Sequence, residues 1–66
     1  MRTNLLSEMQ RRKITISALA QTLGIHRNSM RNKLCDASPF TLDEAIRIYD
    51  VHFPDCEFRW LFRRMN

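Results

Sequence analysis

The sequence predicts a small all-helical domain. Three observations carry this prediction. Apolar residues recur at helical spacing, most clearly as Ile16, Leu19, Ala20 and Leu23 at i, i+3, i+4 and i+7. Residue types that start and stop helices stand at the ends of these stretches. Helix breakers are few: Gly24, Pro39 and Pro54 alone punctuate 66 residues.

The first segment, about residues 4–12, sets Leu5, Leu6 and Met9 on one face. It closes in Arg11-Arg12-Lys13, a basic run suited to the negative end of a helix dipole. The second segment starts at Thr15, whose side chain can accept a free amide hydrogen of the first turn. Ile14 and Leu19 fit a hydrophobic staple around that start, although Ala18 stands where a capping box would place Glu. Gly24 ends the segment, because a helix end favours a residue that tolerates the left-handed conformation.

A third segment, about Arg27 to Cys35, follows after only Ile25 and His26. Its apolar anchors are Met30 and Leu34; the rest is Arg27, Asn28, Ser29, Arg31, Asn32 and Lys33. A helix this polar lies exposed. Asp36 to Pro39 reads as a loop. Thr41 and Glu44 form a capping box for a fourth helix ending near Val51, with Leu42, Ala45, Ile46 and Tyr49 as its apolar stripe. Pro54 begins a last segment of two readings: Phe58, Leu61, Phe62 and Met65 fit a helix, while Cys56, Phe58, Trp60 and Phe62 alternate as in a strand. In both, residues 54–66 cover the core and supply a dimer interface through Phe58, Trp60, Leu61 and Phe62.

Residues 1–66 form a single domain. A chain of this length buries only about 60% of the surface its unfolded form exposes, so pairing with a second copy would help it. The charge is uneven: residues 1–35 set Arg2, Arg11, Arg12, Lys13, Arg27, Arg31 and Lys33 against Glu8 alone, a net +6, while residues 36–66 carry a net −2. A basic amino-terminal half suits a phosphate backbone, though it equally suits a solvated charged surface. Cys35 and Cys56 have no metal-ligand spacing and are too few for a disulfide framework. No signal peptide or long apolar run is present, which predicts a cytoplasmic chain with reduced thiols. His26 and His52 have no carboxylate partner at motif spacing, and one glycine cannot build a phosphate loop. No enzyme activity, metal or cofactor is expected.

The feature that carries function is a pair of short helices joined at a glycine, the first apolar on one face and the second polar and basic. This pattern predicts a helix-turn-helix, whose second helix enters the major groove. With Met30 facing inward, Asn28 and Asn32 point outward, Arg31 flanks them and Arg27 sits in the first turn. Arg can grip guanine O6 and N7 with two bonds, and Asn can do likewise with adenine. These four are the expected base contacts. Taken singly, each is an ordinary exposed polar residue; together they favour DNA. Thr15 and Ser17 begin a helix whose amides and dipole attract phosphate. Gln21, His26 and Lys33 complete the expected phosphate contacts, Lys33 by extending from the core flank.

The stretch Ile14-Thr15-Ile16-Ser17-Ala18-Leu19-Ala20-Gln21-Thr22-Leu23-Gly24-Ile25-His26-Arg27-Asn28-Ser29-Met30 resembles the Cro/C1-type helix-turn-helix family. Phe40-Thr41-Leu42-Asp43-Glu44-Ala45-Ile46 and Trp60-Leu61-Phe62 resemble later parts of small phage repressors. The resemblance implies a five-helix, lambda-repressor-like domain, a homodimer on a palindromic operator. Three positions depart from the family. Ile16 replaces a common Gln and cannot make its DNA contact. His26 stands where Ser or Thr usually caps the second helix. Lys33 stands where an apolar residue is frequent, with Leu34 taking the packing role. The segment Leu23 to Leu34 is also similar to the Fis-type motif, but that motif usually closes its chain and here a capped helix follows. The competing reading is a protein-interaction module, such as an antirepressor, that keeps the fold without specific DNA binding.

Overall fold

The computed structural model describes residues 2–64. Five helices follow in order: α1 (Thr3–Arg11), α2 (Ile16–Leu23), α3 (Arg27–Leu34), α4 (Leu42–His52) and α5 (Phe58–Leu61). No strand occurs among the described residues. The carboxy-terminal segment therefore resolves as a loop and one short helix, and Met65 lies outside the described residues.

The helix starts follow their side chains. Thr15 Oγ1 accepts from the Ala18 amide at 3.1 Å. Thr41 Oγ1 accepts from the Glu44 amide at 3.1 Å while the Glu44 carboxylate accepts from the Thr41 amide at 3.0 Å, which is the reciprocal capping box. The ends of α1, α2 and α3 share a device of their own. A left-handed residue stands one or two positions past each helix: Lys13 (φ 57°), Gly24 (φ 68°) and Asp36 (φ 63°). The following amide then reaches back into the last turn, Ile14 to Met9 O at 2.8 Å, Ile25 to Ala20 O at 3.0 Å and Ala37 to Asn32 O at 2.8 Å. This satisfies carbonyls that the helix end leaves open.

One core gathers all five helices: Leu5 and Met9, Leu19 and Ala20, Met30 and Leu34, Ile48, and Leu61, with Phe53 from the turn after α4. Each large buried side chain contributes about 1.5–3 kcal/mol relative to exposure. Leu61 is 0% exposed, so it belongs to the core of the single chain and offers no surface to a partner. At helical spacing Phe58, Leu61 and Phe62 share one side, and Trp60, 40% exposed, stands off it.

The stripe of α4 is also corrected. Ala45 and Ile48 are buried, whereas Leu42 is 68% and Ile46 41% exposed. The helix is turned by roughly one fifth of a turn from the face that Leu42, Ala45, Ile46 and Tyr49 would bury. The cause is α2. His52 Nε2 lies 2.7 Å from Thr22 Oγ1, and Phe53 follows directly into the core. Aligning these two residues with α2 brings Ile48 inward and leaves Leu42 and Ile46 on the flank.

Arg12 joins α1 to the α4–α5 loop. Its two terminal nitrogens fork onto Asp55 at 2.8 Å each, and its Nε donates to Glu8 at 3.0 Å. The guanidinium lies over the Phe53 ring, 5.3 Å from its centroid. Hydrogen bonds from Arg11 above all, and from Arg12, outweigh burial and hold the Glu8 carboxyl down to about 2. The chain ends meet as Asn4 Nδ2 donates to Trp60 O at 2.7 Å and Arg2 Nη1 to Phe62 O at 2.6 Å. Both cysteines are free thiols. Among the described residues, no helix is long and apolar enough to cross a membrane.

Candidate nucleic-acid interface

Only Gly24, Ile25 and His26 separate α2 from α3, and these two helices pack closely together. The left-handed turn at Gly24 sends Ile25 back against the core. Ile25 and the fully buried Met30 and Leu34 then fix the roll of α3. The remaining side chains Arg27, Asn28, Ser29, Arg31 and Asn32 are all exposed. Among the described residues, the side chains of Arg27, Asn28, Arg31 and Asn32 make no hydrogen bond or ion pair. The structure thus brings the four expected base-contacting residues onto one open face.

His26 begins α3 by an unusual route. Its Nδ1 accepts from the Asn28 amide at 3.1 Å. An accepting Nδ1 carries no proton, so the neutral ring holds its hydrogen on Nε2. The exposed ring therefore caps the helix on one side and offers a donor on the other. Thr15, Ser17 and Gln21 are exposed as well. Thr15 already accepts the Ala18 amide, which leaves its hydroxyl hydrogen to donate. The first amides of α2 have no partner within the helix. Ile16 packs against the core, consistent with its apolar character.

Lys33 differs from expectation. Its Nζ lies 3.0 Å from the Glu44 carboxylate and 3.1 Å from Pro39 O, with 15% of the side chain exposed. It ties α3 to the start of α4 and is not available to a phosphate. The cause is Glu44, whose capping position puts a carboxylate within reach of the flank of α3. Hydrogen bonding from the Thr41 amide first, and pairing with Lys33 after it, hold the Glu44 carboxyl below its usual range.

The charge excess of the amino-terminal half is similarly reduced. Arg11 forks onto Glu8, Arg12 onto Asp55 and Glu8, and Arg2 lies beside Asp36. Among the described residues of that half, the cations left open are Lys13, Arg27 and Arg31. Lys13 is the residue the sequence reading passed over as a site residue. It is exposed, two residues before the Thr15 cap, beside the amide end of α2. Its place in the basic run was visible in the sequence. That Arg11 and Arg12 are paired with carboxylates while Lys13 has no such pair among the described residues was not.

No group of three or more His, Cys, Asp or Glu that could hold a metal occurs among the described residues. The chain matches no protein-family model, no characterised protein and no solved structure, so its reading rests on its own residues.

Proposed function

We propose that this protein binds double-stranded DNA sequence-specifically, as a transcriptional regulator of the repressor type, through a helix-turn-helix made of α2 and α3. The observation that supports it most is the outer face of α3, where Arg27, Asn28, Arg31 and Asn32 stand exposed with no partner among the described residues. Four unengaged side chains of the two types suited to bidentate base recognition share one short helix. In this reading α3 lies in the major groove. Arg27 and Arg31 take guanine edges and Asn28 and Asn32 adenine edges. Thr15, Ser17 and Gln21 meet the phosphates with the amide end of α2, joined by Lys13 and by Nε2 of His26. One copy of α3 reads one half-site, so two copies serve a palindromic operator. Such a regulator works in the cytoplasm and needs no cofactor.

The test is a binding selection from random duplex DNA at two salt concentrations. A palindromic motif with half-sites one helical turn apart, about 34–36 Å, is expected. Binding should weaken steeply with salt as phosphate contacts release counterions. The exposed apolar flank of α4 favours a second reading, a protein-interaction module. Recovery of no enriched sequence would decide for that second reading.

A further inference from the structure

We infer that the cavity between the chain ends and the α3–α4 loop binds a small organic oxyanion, a carboxylate or phosphate head carried on a short apolar body. The cavity measures about 310 Å³ and is lined by Arg2, Arg64 and the loop residues 36–40. That volume falls at the lower end of the range for ligand pockets, about 300–1,000 Å³.

Arg2 is set for such a ligand. Its side chain is 14% exposed. The guanidinium lies 5.1 Å from the Phe40 ring centroid, and Nη1 donates to Phe62 O at 2.6 Å. These two contacts hold the group in place, so binding costs it little further side-chain freedom. Its Nε is the one buried side-chain nitrogen or oxygen with no hydrogen-bond partner among the described residues. Asp36 Oδ1, 3.9 Å away, lies beyond bonding reach. Burial pulls the Arg2 guanidinium below its usual pKa, and Asp36 offsets this only in part. A buried cation with donors to spare calls for a further acceptor.

Arg64 supplies the second cation. Its Nε lies 3.7 Å from the same Asp36 oxygen, and 61% of its side chain is exposed. Two arginines thus flank one carboxylate without a close bond from either Nε, and they leave one positive charge in excess. Ser38 adds a hydroxyl with no partner among the described residues. The loop amides take no part, since those of Ala37 and Ser38 both donate to Asn32 O, at 2.8 and 3.2 Å. Recognition of the head therefore falls to the two guanidinium groups, whose forked donors match carboxylate and phosphate oxygens. Pro39 and the Phe40 ring give the apolar wall for the body.

The full chain, without DNA, is titrated with benzoate, phenyl phosphate and neutral benzamide at constant ionic strength and followed by amide NMR shifts. Saturable shifts within residues 36–40 are expected for at least one of the two anions, with benzamide roughly tenfold weaker or worse. Arg2→Gln should weaken binding roughly tenfold. Arg2 also ties the chain ends together, so Arg64→Gln is the second variant, expected to weaken binding about threefold with an unchanged helical circular dichroism spectrum. Asp36→Asn should tighten binding about threefold, because a carboxylate that competes for both arginines is gone. Asn tolerates the left-handed backbone of that position, so the loop is kept. Saturation by neither anion, equal binding of benzamide, or a folded Arg64→Gln chain that binds as before overturns the inference. So does a folded Asp36→Asn chain that binds more weakly. The site shares no side chain with the DNA contacts proposed for α2 and α3, so a chain that selects no operator leaves it standing.

Discussion

Arg27 and Lys33 are both basic residues of α3, yet one stands open and the other is held by Glu44 and Pro39 O. Substitution should separate them. Arg27→Ala or Arg31→Ala is expected to weaken specific DNA binding by roughly 1–3 kcal/mol and to relax selectivity at one base position. Lys33→Ala is expected to lower thermal stability and leave the salt dependence of DNA binding unchanged. Binding titrations across a salt series, paired with melting curves, check both. The left-handed positions give a second contrast. Nothing lies within 4 Å of a Cβ built on Gly24, so Gly24→Ala tests backbone strain alone, at about 1–2 kcal/mol of destabilisation. Lys13 bears that strain already at φ 57°, and Lys13→Gly should recover about 0.5–1 kcal/mol in urea unfolding. The sequence announced the left-handed turn only where the residue was glycine. At Lys13 and Asp36 the same geometry is imposed by Ile14 and by the bond from the Ala37 amide, and no residue type signals it.

At the scale of the helix, caps were legible and facing was not. Thr15 and the Thr41–Glu44 box act over three residues, so their chemistry is written locally. Thr41→Ala should cost about 1 kcal/mol by removing the acceptor for the Glu44 amide, measured by chemical unfolding. His26→Asn tests the start of α3 in another way. Asn is a stronger cap, so folding stability should hold or rise. The Nε2 donor is lost, so DNA affinity should fall across all sequences alike. A fall confined to one base position would instead assign His26 to base reading. Facing depends on neighbours. The α4 stripe of Leu42, Ala45, Ile46 and Tyr49 was the more apolar choice by pattern, but Thr22 and the buried Phe53 fix the helix otherwise. On α3 the prediction held because only Met30 and Leu34 could face inward, leaving no second solution.

The whole molecule is closed by contacts between its ends, and its pH response belongs to this scale. Burial holds the His52 imidazole below its usual value of 6.5 beside Thr22. The unfolded chain then binds the proton more readily than the folded one. Stability should therefore fall as pH drops from about 6.5 through the folded value, and His52→Gln should remove that slope. Glu8 acts lower: its contribution is present above about 4.5 and is lost as pH falls toward about 2, where the Arg11 and Arg12 contacts release. Thermal melts across pH 2 to 8 separate the two legs. Ending the chain at Glu57 removes the fully buried Leu61 and the carbonyls that hold Asn4 and Arg2. Loss of cooperative unfolding by circular dichroism is expected, and a truncated chain that melts as sharply as the full one would refute this.

By itself the sequence determined the all-helical class, where α2, α3 and α4 begin, the turn at Gly24 and the outward face of α3. These follow from periodicity, from capping over three residues and from a lone glycine, all short-range. Tertiary structure alone decided which charges remain open, which side of α4 is buried, and that Leu61 is core while Leu42 and Ile46 are surface. Those outcomes depend on partners far apart in the chain: Arg12 with Asp55, Thr22 with His52, Arg2 with Phe62 O. A charge or an apolar side chain carries no mark of whether a distant neighbour will reach it. Only packing into one core sets those distances.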